Sequence, residues 1–570
     1  MNLLIIDEIV KFKFKKGIND YLKIMSEEKI PLFARRASGL VREIGPLGLI
    51  AMCMSYAIGG GINLLSIKNG YLYPGSNVGL AFALAGIPVI LVSVCYALLA
   101  ITMPRSGGAY VFISRTISPT LGFLASWISW FGGWMLCGII AYYDAFFWGT
   151  MLWNVGAAFR NVGVMSFATW IMQPVNSLWV GIILLALAFL VCSLRISTVV
   201  RIIEVLWIIP LIGSITMMIV YGMNWGLASI SPERFKSIWD SVMGAGSYDE
   251  VMSIALAHGF DPAKWTTFSW DATWSVAAYA AIFAYGSPAT PPTAVAGEVK
   301  TPTKSQIIGT VGGCILIAIY YVLVSSLCYG ACDPFIRAYA FNYYKGYSSA
   351  YKITPNLTPS LPLMAGILSQ NFGLAALFAA SAAIWLWNDM PSFILYMSRF
   401  IFAWAFDRSF PEVFAKVHPT LRSPIYANIL NFILSVLACV MCWGWWIYGI
   451  FTLLDNVAVW AWIFPDMFVG LACAALPLIR PEIYKESPTH AWRFLGCPLE
   501  YIFGVLGFAG MGLFVWLVTG TLTPGGTPTP DIMLITVMLA IGLLISMIYQ
   551  HRAAKKGIPV SDIFKAIPPA

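Results

Sequence analysis

Charge is scarce in this sequence. Only 11% of its 570 residues are Asp, Glu, Lys or Arg, where a soluble domain carries about 25%. So few charges cannot coat a surface that faces water, which excludes a large soluble globule. Histidine is scarcer still, with four in the chain. His258, His418, His490 and His551 fall in loops or tails, and no HExxH or GxSxG sits on a helix. Zinc-hydrolase and serine-hydrolase chemistry therefore have no carrier, and neither an enzyme, a metal nor a cofactor is expected. The absence of a P-loop disfavours a primary pump. The eleven cysteines stand singly, mostly inside apolar runs such as those of Cys95, Cys192 and Cys314. They read as small buried hydrophobes, not as a disulfide framework. The start, MNLLIIDEIV, has no charged leading segment and only a short, acidic apolar stretch, so no cleavable signal peptide is expected.

What is present is apolar: 59% of the chain is hydrophobic. The bilayer is the expected solvent and helices the expected way to span it, because each helix satisfies its own backbone. Runs of about 20 apolar residues predict twelve helices, over 44–67, 76–103, 119–152, 177–196, 199–222, 271–299, 306–330, 364–405, 424–443, 446–478, 499–521 and 531–550. With the N-terminus in the cytoplasm, 26 of the 34 Lys and Arg fall on the inner side and 8 on the outer. That bias matches the positive-inside rule and puts both termini inside. It also accounts for the net charge of +8 without nucleic acid as a partner. The long outer loops 223–270 and 331–360 are candidates for short amphipathic helices over an outer vestibule.

Two of the twelve helices carry breaks. The first passes through Ser55-Tyr56-Ala57-Ile58-Gly59-Gly60-Gly61, followed by Asn63. A glycine triplet in mid-membrane costs about 1 kcal/mol per residue in helix propensity. Packing motifs space small residues four apart, so the contiguous triplet predicts an unwound segment. The sixth passes through Phe283-Ala284-Tyr285-Gly286-Ser287-Pro288 and then Pro291-Pro292, where proline removes donors and clashes with the preceding turn. Helices 1 and 6 open two successive groups of five and point in opposite directions. Interrupted helices at matching positions of inverted repeats mark a transporter binding site. The freed N–H groups suit a carboxylate and the freed carbonyls an ammonium or a cation.

These residues resemble the amino acid permeases of the amino acid–polyamine–organocation superfamily, of prokaryotic type. The likeness spans nearly the whole chain. It is carried by Ile58-Gly59-Gly60-Gly61-Ile62, by Pro104-Arg105-Ser106-Gly107-Gly108-Ala109-Tyr110 and by Phe283-Ala284-Tyr285. Glu298-Val299-Lys300-Thr301-Pro302, Ser398-Arg399 through Asp407-Arg408-Ser409-Phe410-Pro411, and the ending Ile567-Pro568-Pro569 complete it. The resemblance implies an all-α integral membrane fold, a five-plus-five inverted repeat with broken helices 1 and 6 and two C-terminal helices. The chain then divides into a cytoplasmic tail (1–43), a first repeat (44–222), an outer loop (223–270), a second repeat (271–478), helices 11–12 (479–550) and a cytoplasmic tail (551–570). It implies a secondary transporter in the plasma membrane, working by alternating access. The substrate carboxylate would lie on the amides of Ile58 through Gly61 and the Ser55 region. The amino group would meet the carbonyls of Ala57, Phe283, Ala284 and Tyr285. Some members place a lysine in helix 5 in lieu of a sodium ion. Here that position falls near Pro210 and helix 5 has no lysine, so the coupling ion, proton or sodium, is unassigned.

Other polar residues in the apolar runs are candidates by their cost alone. Asp389, with Ser392 one turn on, is a candidate for a proton, a sodium ion or a cationic group of the substrate, against a structural carboxylate. Trp130, in the stripe Trp127, Trp130, Trp134, is a candidate pocket residue, although most such aromatics pack or anchor. Arg105, Glu298 and Arg399 are candidates for an inner gate of ion pairs, and Glu204 with Arg201 for an inner-end pair. Asp144, nearer the outer end of helix 3, is a candidate for a solvated vestibule residue or a gate, and Asp455 and Asp466, about three turns apart in helix 10, are alternative candidates to face the pathway. An amino acid is the expected substrate. A polyamine or organic cation, or amino acid exchange, is the alternative within the class, and a channel or membrane sensor the alternative outside it. The oligomeric state is left open.

Overall fold

The computed structural model describes residues 33–35, 37–448, 459–522 and 530–569. Among the described residues the regular structure is helical, apart from a short hairpin pairing Arg493–Phe494 with Cys497–Pro498 and an isolated bridge between Ile44 and Val299. Among the described residues, ten helices are long and apolar enough to cross a membrane, and one bent pair raises this to eleven. That pair is α1 (Pro46–Ala57) and α2 (Gly61–Leu72), bent by 47°. The run expected at 271–299 is split further. It consists of α11 (Trp270–Ala280), a π-turn over Ala281–Tyr285 and α12 (Thr290–Ala294), each too short to span alone.

The remaining elements follow the apolar runs. They are α3 (Val78–Thr102), α4 (Gly108–Thr116), α5 (Pro119–Ala158), α6 (Val162–Met172), α7 (Pro174–Ser193) and α8 (Ile196–Met223). Next come α9 (Pro232–Met243) and α10 (Ser247–Ala257), then, past the split helix, α13 (Pro302–Cys332), α14 (Phe335–Tyr344) and α15 (Leu361–Ser369). The chain closes with α16 (Phe372–Phe406), α17 (Ile425–Tyr448), α18 (Phe464–Ile479), α19 (Leu499–Leu522) and α20 (Pro530–Lys555). Helix starts are written locally. Asn77, Ser118 and Asn371 accept the amides of Leu80, Leu121 and Leu374, and Pro119 stands in the first turn of α5. On α8, Ile208, Ile212, Ile215 and Ile219 stay exposed at helical spacing, as a lipid-facing stripe requires.

Three expectations need correcting. The run 364–405 is two helices, because Gln370 turns the chain at φ 50° and Asn371 caps a new helix. The loop Pro104–Tyr110 winds into α4 from Gly108 onward. No ion pair forms between Glu204 and Arg201 among the described residues; Glu204 instead packs beside Gly48. Asp455 lies outside the described residues.

The segments 223–270 and 331–360 fold into a cap of α9, α10 and α14. Trp239 packs edge-on to Phe335, with ring centroids 4.5 Å apart. Arg337 ties the cap to the bundle through the carbonyls of Gly70 and Ser76, at 2.5 and 3.0 Å. Glu250 clamps the cap's last loop, accepting the amides of Lys352, Ile353 and Thr354 and the Thr354 hydroxyl at 2.7 Å. Burial pulls its carboxyl up, but these donors outweigh it and hold it below the ordinary carboxylate range. A depressed folded-state value stabilises above the unfolded-state value and is lost as pH falls through the folded one. The clamp is therefore intact at neutral pH and is lost only as pH falls below the ordinary carboxylate range. Glu250→Gln is expected to raise amide exchange at 352–354 at pH 7 and to abolish the acid dependence of that exchange.

Candidate functional site

The two breaks meet. α1 ends at Ile58, whose φ of −86° and ψ of 108° leave the helix, and the chain re-enters helix at Gly61 through a π-turn. Opposite it, Gly286 takes φ 57° and ψ −133°, a conformation that favours glycine. A Cβ on Gly61 would fall on the Phe283 carbonyl. Glycine is thus required at 61 for one backbone to lie against the other. Asn63 folds its side chain back to the Gly59 carbonyl at 2.9 Å, which also accepts the Asn63 amide at 3.5 Å. The amides that start α2 have no partner within their own helix.

Between the breaks lies a cavity of about 290 Å³, lined by Tyr56, Ala57, Gly59, Gly60, Gly61, Phe283, Ala284, Tyr285, Gly286 and Asp389. Apolar walls come from Leu64, Leu136, Ile139, Ile140, Leu386 and Phe393, with Tyr143 and Trp462. The size suits one small organic molecule. Asp389 Oδ2 stands 3.2 Å from where a Gly59 Cβ would be, while its Oδ1 is buried without a hydrogen-bond partner. The cavity therefore joins backbone polar groups to one carboxyl group whose Oδ1 has no partner among the described residues.

Two carbonyls expected to receive an amino group are already engaged. The Tyr321 hydroxyl lies 2.5 Å from the Ala57 oxygen and 2.7 Å from that of Ala284, so its one proton bridges both broken helices. Tyr321→Phe leaves two buried acceptors without a donor. A loss of about 1–3 kcal/mol in unfolding free energy is expected, together with a several-fold fall in uptake.

Several expected residues lie elsewhere. The Ile58 amide donates to Met54 at 3.0 Å and is not free for a carboxylate. The Ser55 hydroxyl accepts Asn388 Nδ2 at 2.6 Å behind the cavity wall. Trp130 does not line the cavity: its indole donates to Asn431 at 2.9 Å, and its ring packs on Trp127 and Trp404. Ser392 is fully buried and also off the lining. Ser287 faces away from the cavity, its hydroxyl 2.7 Å from Asp466 Oδ1. That same oxygen accepts the Tyr96 hydroxyl at 2.8 Å.

Buried ion pairs hold the helix ends together at the face where residues 37–43 and the C-terminal tail lie. Glu298 and Arg399, both about fully buried, form a two-pronged pair with both bonds at 2.9 Å. The Glu298 carbonyl also accepts the amides of Glu43 and Ile44. Arg105 takes no part in that pair and bonds to the Pro568 carbonyl of the C-terminal tail. Gly107 donates to the Ala294 carbonyl at 2.9 Å, which seats the turn before α4 against the end of the split helix. A second buried pair, Arg115 with Asp407 at 2.5 and 2.8 Å, lies alongside.

Sequence reading missed Tyr143, Trp462, Tyr321 and the partners of Asp466. Apolar or aromatic residues on helices carry no local mark of facing a cavity. Only the charge of Asp466 in an apolar run was a signal.

A bundle of membrane-spanning helices around a cavity between two interrupted helices is the build of a small-molecule membrane transporter. The chain belongs to the amino acid permease family, whose model matches residues 44–544. It is 23% identical to a methylthioribose transporter of Bacillus subtilis over 85% of this chain and 93% of that one. It is 24% identical to the glutamate/serine transporter AimA of the same organism over 47% and 43%. A segment of 91 residues is 37% identical to human Asc-type amino acid transporter 1, covering 15% and 17% of the two chains. The protein is thus a multi-pass membrane transporter of amino acids or related organic substrates.

Proposed function

We propose that this permease carries an amino acid across the plasma membrane by alternating access, with both termini cytoplasmic and the halves 44–222 and 271–478 forming an inverted repeat. The observation that carries the reading is the meeting of the two breaks at one cavity beside Asp389. The substrate carboxylate lies on the amides of Gly59, Gly60 and Gly61, where unpaired donors and the helix N-terminus favour an anion. The amino group turns to Asp389 and the Phe283 carbonyl. With buried ion pairs holding the tail side together, the substrate enters from the cap side. Opening then requires Glu298 and Arg399 to part.

The unpartnered Asp389 also favours an amine that lacks a carboxylate, such as a polyamine, as the second reading. Reconstituted full-length protein, offered a labelled panel of amino acids with putrescine and methylthioribose, separates the two. Saturable uptake of an amino acid, undiminished by putrescine or methylthioribose at tenfold excess, is expected. Uptake of either of those compounds with none of the amino acids would overturn the reading.

A further inference from the structure

Beneath the break of the split helix, four buried oxygens form a closed ring. Asp466 Oδ1 lies 2.7 Å from Ser287 Oγ, which lies 2.7 Å from Thr290 Oγ1. Thr290 Oγ1 lies 3.2 Å from the Tyr96 hydroxyl, which returns to Asp466 Oδ1 at 2.8 Å. All four residues are at most 4% exposed. No Lys, Arg or His among the described residues pairs with Asp466.

The protons can be counted. The ring has four oxygen–oxygen contacts, and each needs one proton. The three hydroxyls of Ser287, Thr290 and Tyr96 bring three. With Asp466 ionised, Ser287 and Tyr96 both donate to it, and Thr290 can fill only one of its two contacts. A fourth proton on Asp466 completes the circle. Asp466 then donates to Ser287, Ser287 to Thr290, Thr290 to Tyr96 and Tyr96 to Asp466. No heavy atom has to move, and a buried charge without a counter-ion is removed, which is the costly state in a membrane interior.

We infer that Asp466, with Ser287, Thr290 and Tyr96, is the proton-binding site that couples transport to a proton gradient. The inference rests on the carrier reading above. Ser287 follows Gly286, which lines the substrate cavity, and Trp462, one turn before Asp466, lines it too. Protonation thus reverses a hydrogen bond held by the residue next to the hinge of the split helix. The titratable groups that face Asp466 are Tyr96 from α3 and Tyr56 from α1. Among the described residues, the other elements packed on α18 bring no charged group into hydrogen-bond or ion-pair contact with Asp466. Glu500 opens α19 beside Cys473, two turns away, and Arg115 ends α4 in its pair with Asp407. Asp144 of α5 acts on Asp389 instead. Arg480 and Glu482 pair with each other at the tail face.

The test uses reconstituted full-length protein and the best substrate of the panel. A gradient of one pH unit, acid on the cap side and without sodium, is expected to drive up to about tenfold accumulation at one proton per substrate. Asp466→Asn is expected to abolish that accumulation while labelled-for-unlabelled counterflow persists. Undiminished pH-driven accumulation by Asp466→Asn would overturn the proposal. So would wild-type uptake that follows sodium and ignores pH. If Asp466→Asn also loses counterflow, proton uptake by the two purified proteins on acidification in weakly buffered medium decides: one proton fewer in the variant than in the wild type supports the site, and equal uptake overturns it. Failure of the carrier reading looks different, because the wild type then takes up no member of the panel.

Discussion

Gly60→Leu is expected to lower uptake about 100-fold while leaving the folded protein as stable as the wild type to within about 1 kcal/mol, a difference of two decades in rate being about 2.7 kcal/mol of lost binding or barrier. The two effects separate because of where the glycine sits. Gly60 has helical angles, φ −61° and ψ −32°, so a side chain strains nothing in the backbone. Its Cβ would meet only the Tyr143 ring, at 4.0 Å. A leucine there grows into the cavity and occupies the place proposed for the substrate carboxylate. Gly61→Ala makes the contrast. One methyl group at 61 falls on the Phe283 backbone, which must retreat, and forced overpacking costs about 1–3 kcal/mol. Gly61→Ala should therefore lose thermal stability together with transport. Melting and initial uptake rates of both variants, measured in one detergent and one lipid, check the pair. Equal uptake by Gly60→Leu and the wild type would place the substrate elsewhere.

The second large effect lies at the tail face. Glu298→Ala leaves the Arg399 guanidinium buried, 1% exposed, with Ser398 Oγ as its one remaining side-chain partner among the described residues. Removing one member of a buried pair costs about 3–5 kcal/mol, because the other stays uncompensated. Glu298→Ala and Arg399→Leu are each expected to unfold at markedly lower temperature. The double variant should recover most of that loss, since the desolvated charge is gone. A double-mutant cycle on unfolding free energy reads this coupling, expected at several kcal/mol. Additive losses would mean that the pair does not act as a unit. Arg105→Ala, in contrast, releases only the C-terminal tail and should leave that cycle unchanged.

Much of the fold is legible because it rests on composition. Apolar runs, glycine triplets and prolines report directly on lipid and on backbone breaks. The break at Gly59–Gly61 and the one at Gly286 stand where the residues placed them. What a sequence cannot carry is the partner that arrives from a distant helix. Arg105 and Arg399 look equally suited to Glu298, and only the packing of α16 against the split helix selects Arg399. Ala57 and Ala284 offer free carbonyls on paper, yet Tyr321, 264 and 37 positions away, takes both. Trp130 and Trp462 are alike as letters. One turns to Asn431 and the other to the cavity: Trp130 sits on the face of α5 that packs against other helices, and Trp462 in the π-turn Val459–Ile463 that leads into α18. The split at Gln370 was hidden for another reason: both sides of it are apolar enough to read as one run.

The central claim is that backbone at the two breaks reads the substrate's carboxylate. The most direct measurement is competition against uptake of the best labelled amino acid by its own methyl ester, which keeps the amine and side chain and removes the anion. The ester is expected to compete about 10- to 100-fold more weakly, as the loss of charge-assisted bonds worth roughly 1.5–3 kcal/mol requires. An ester that competes as well as the free amino acid would contradict a carboxylate site at Gly59–Gly61.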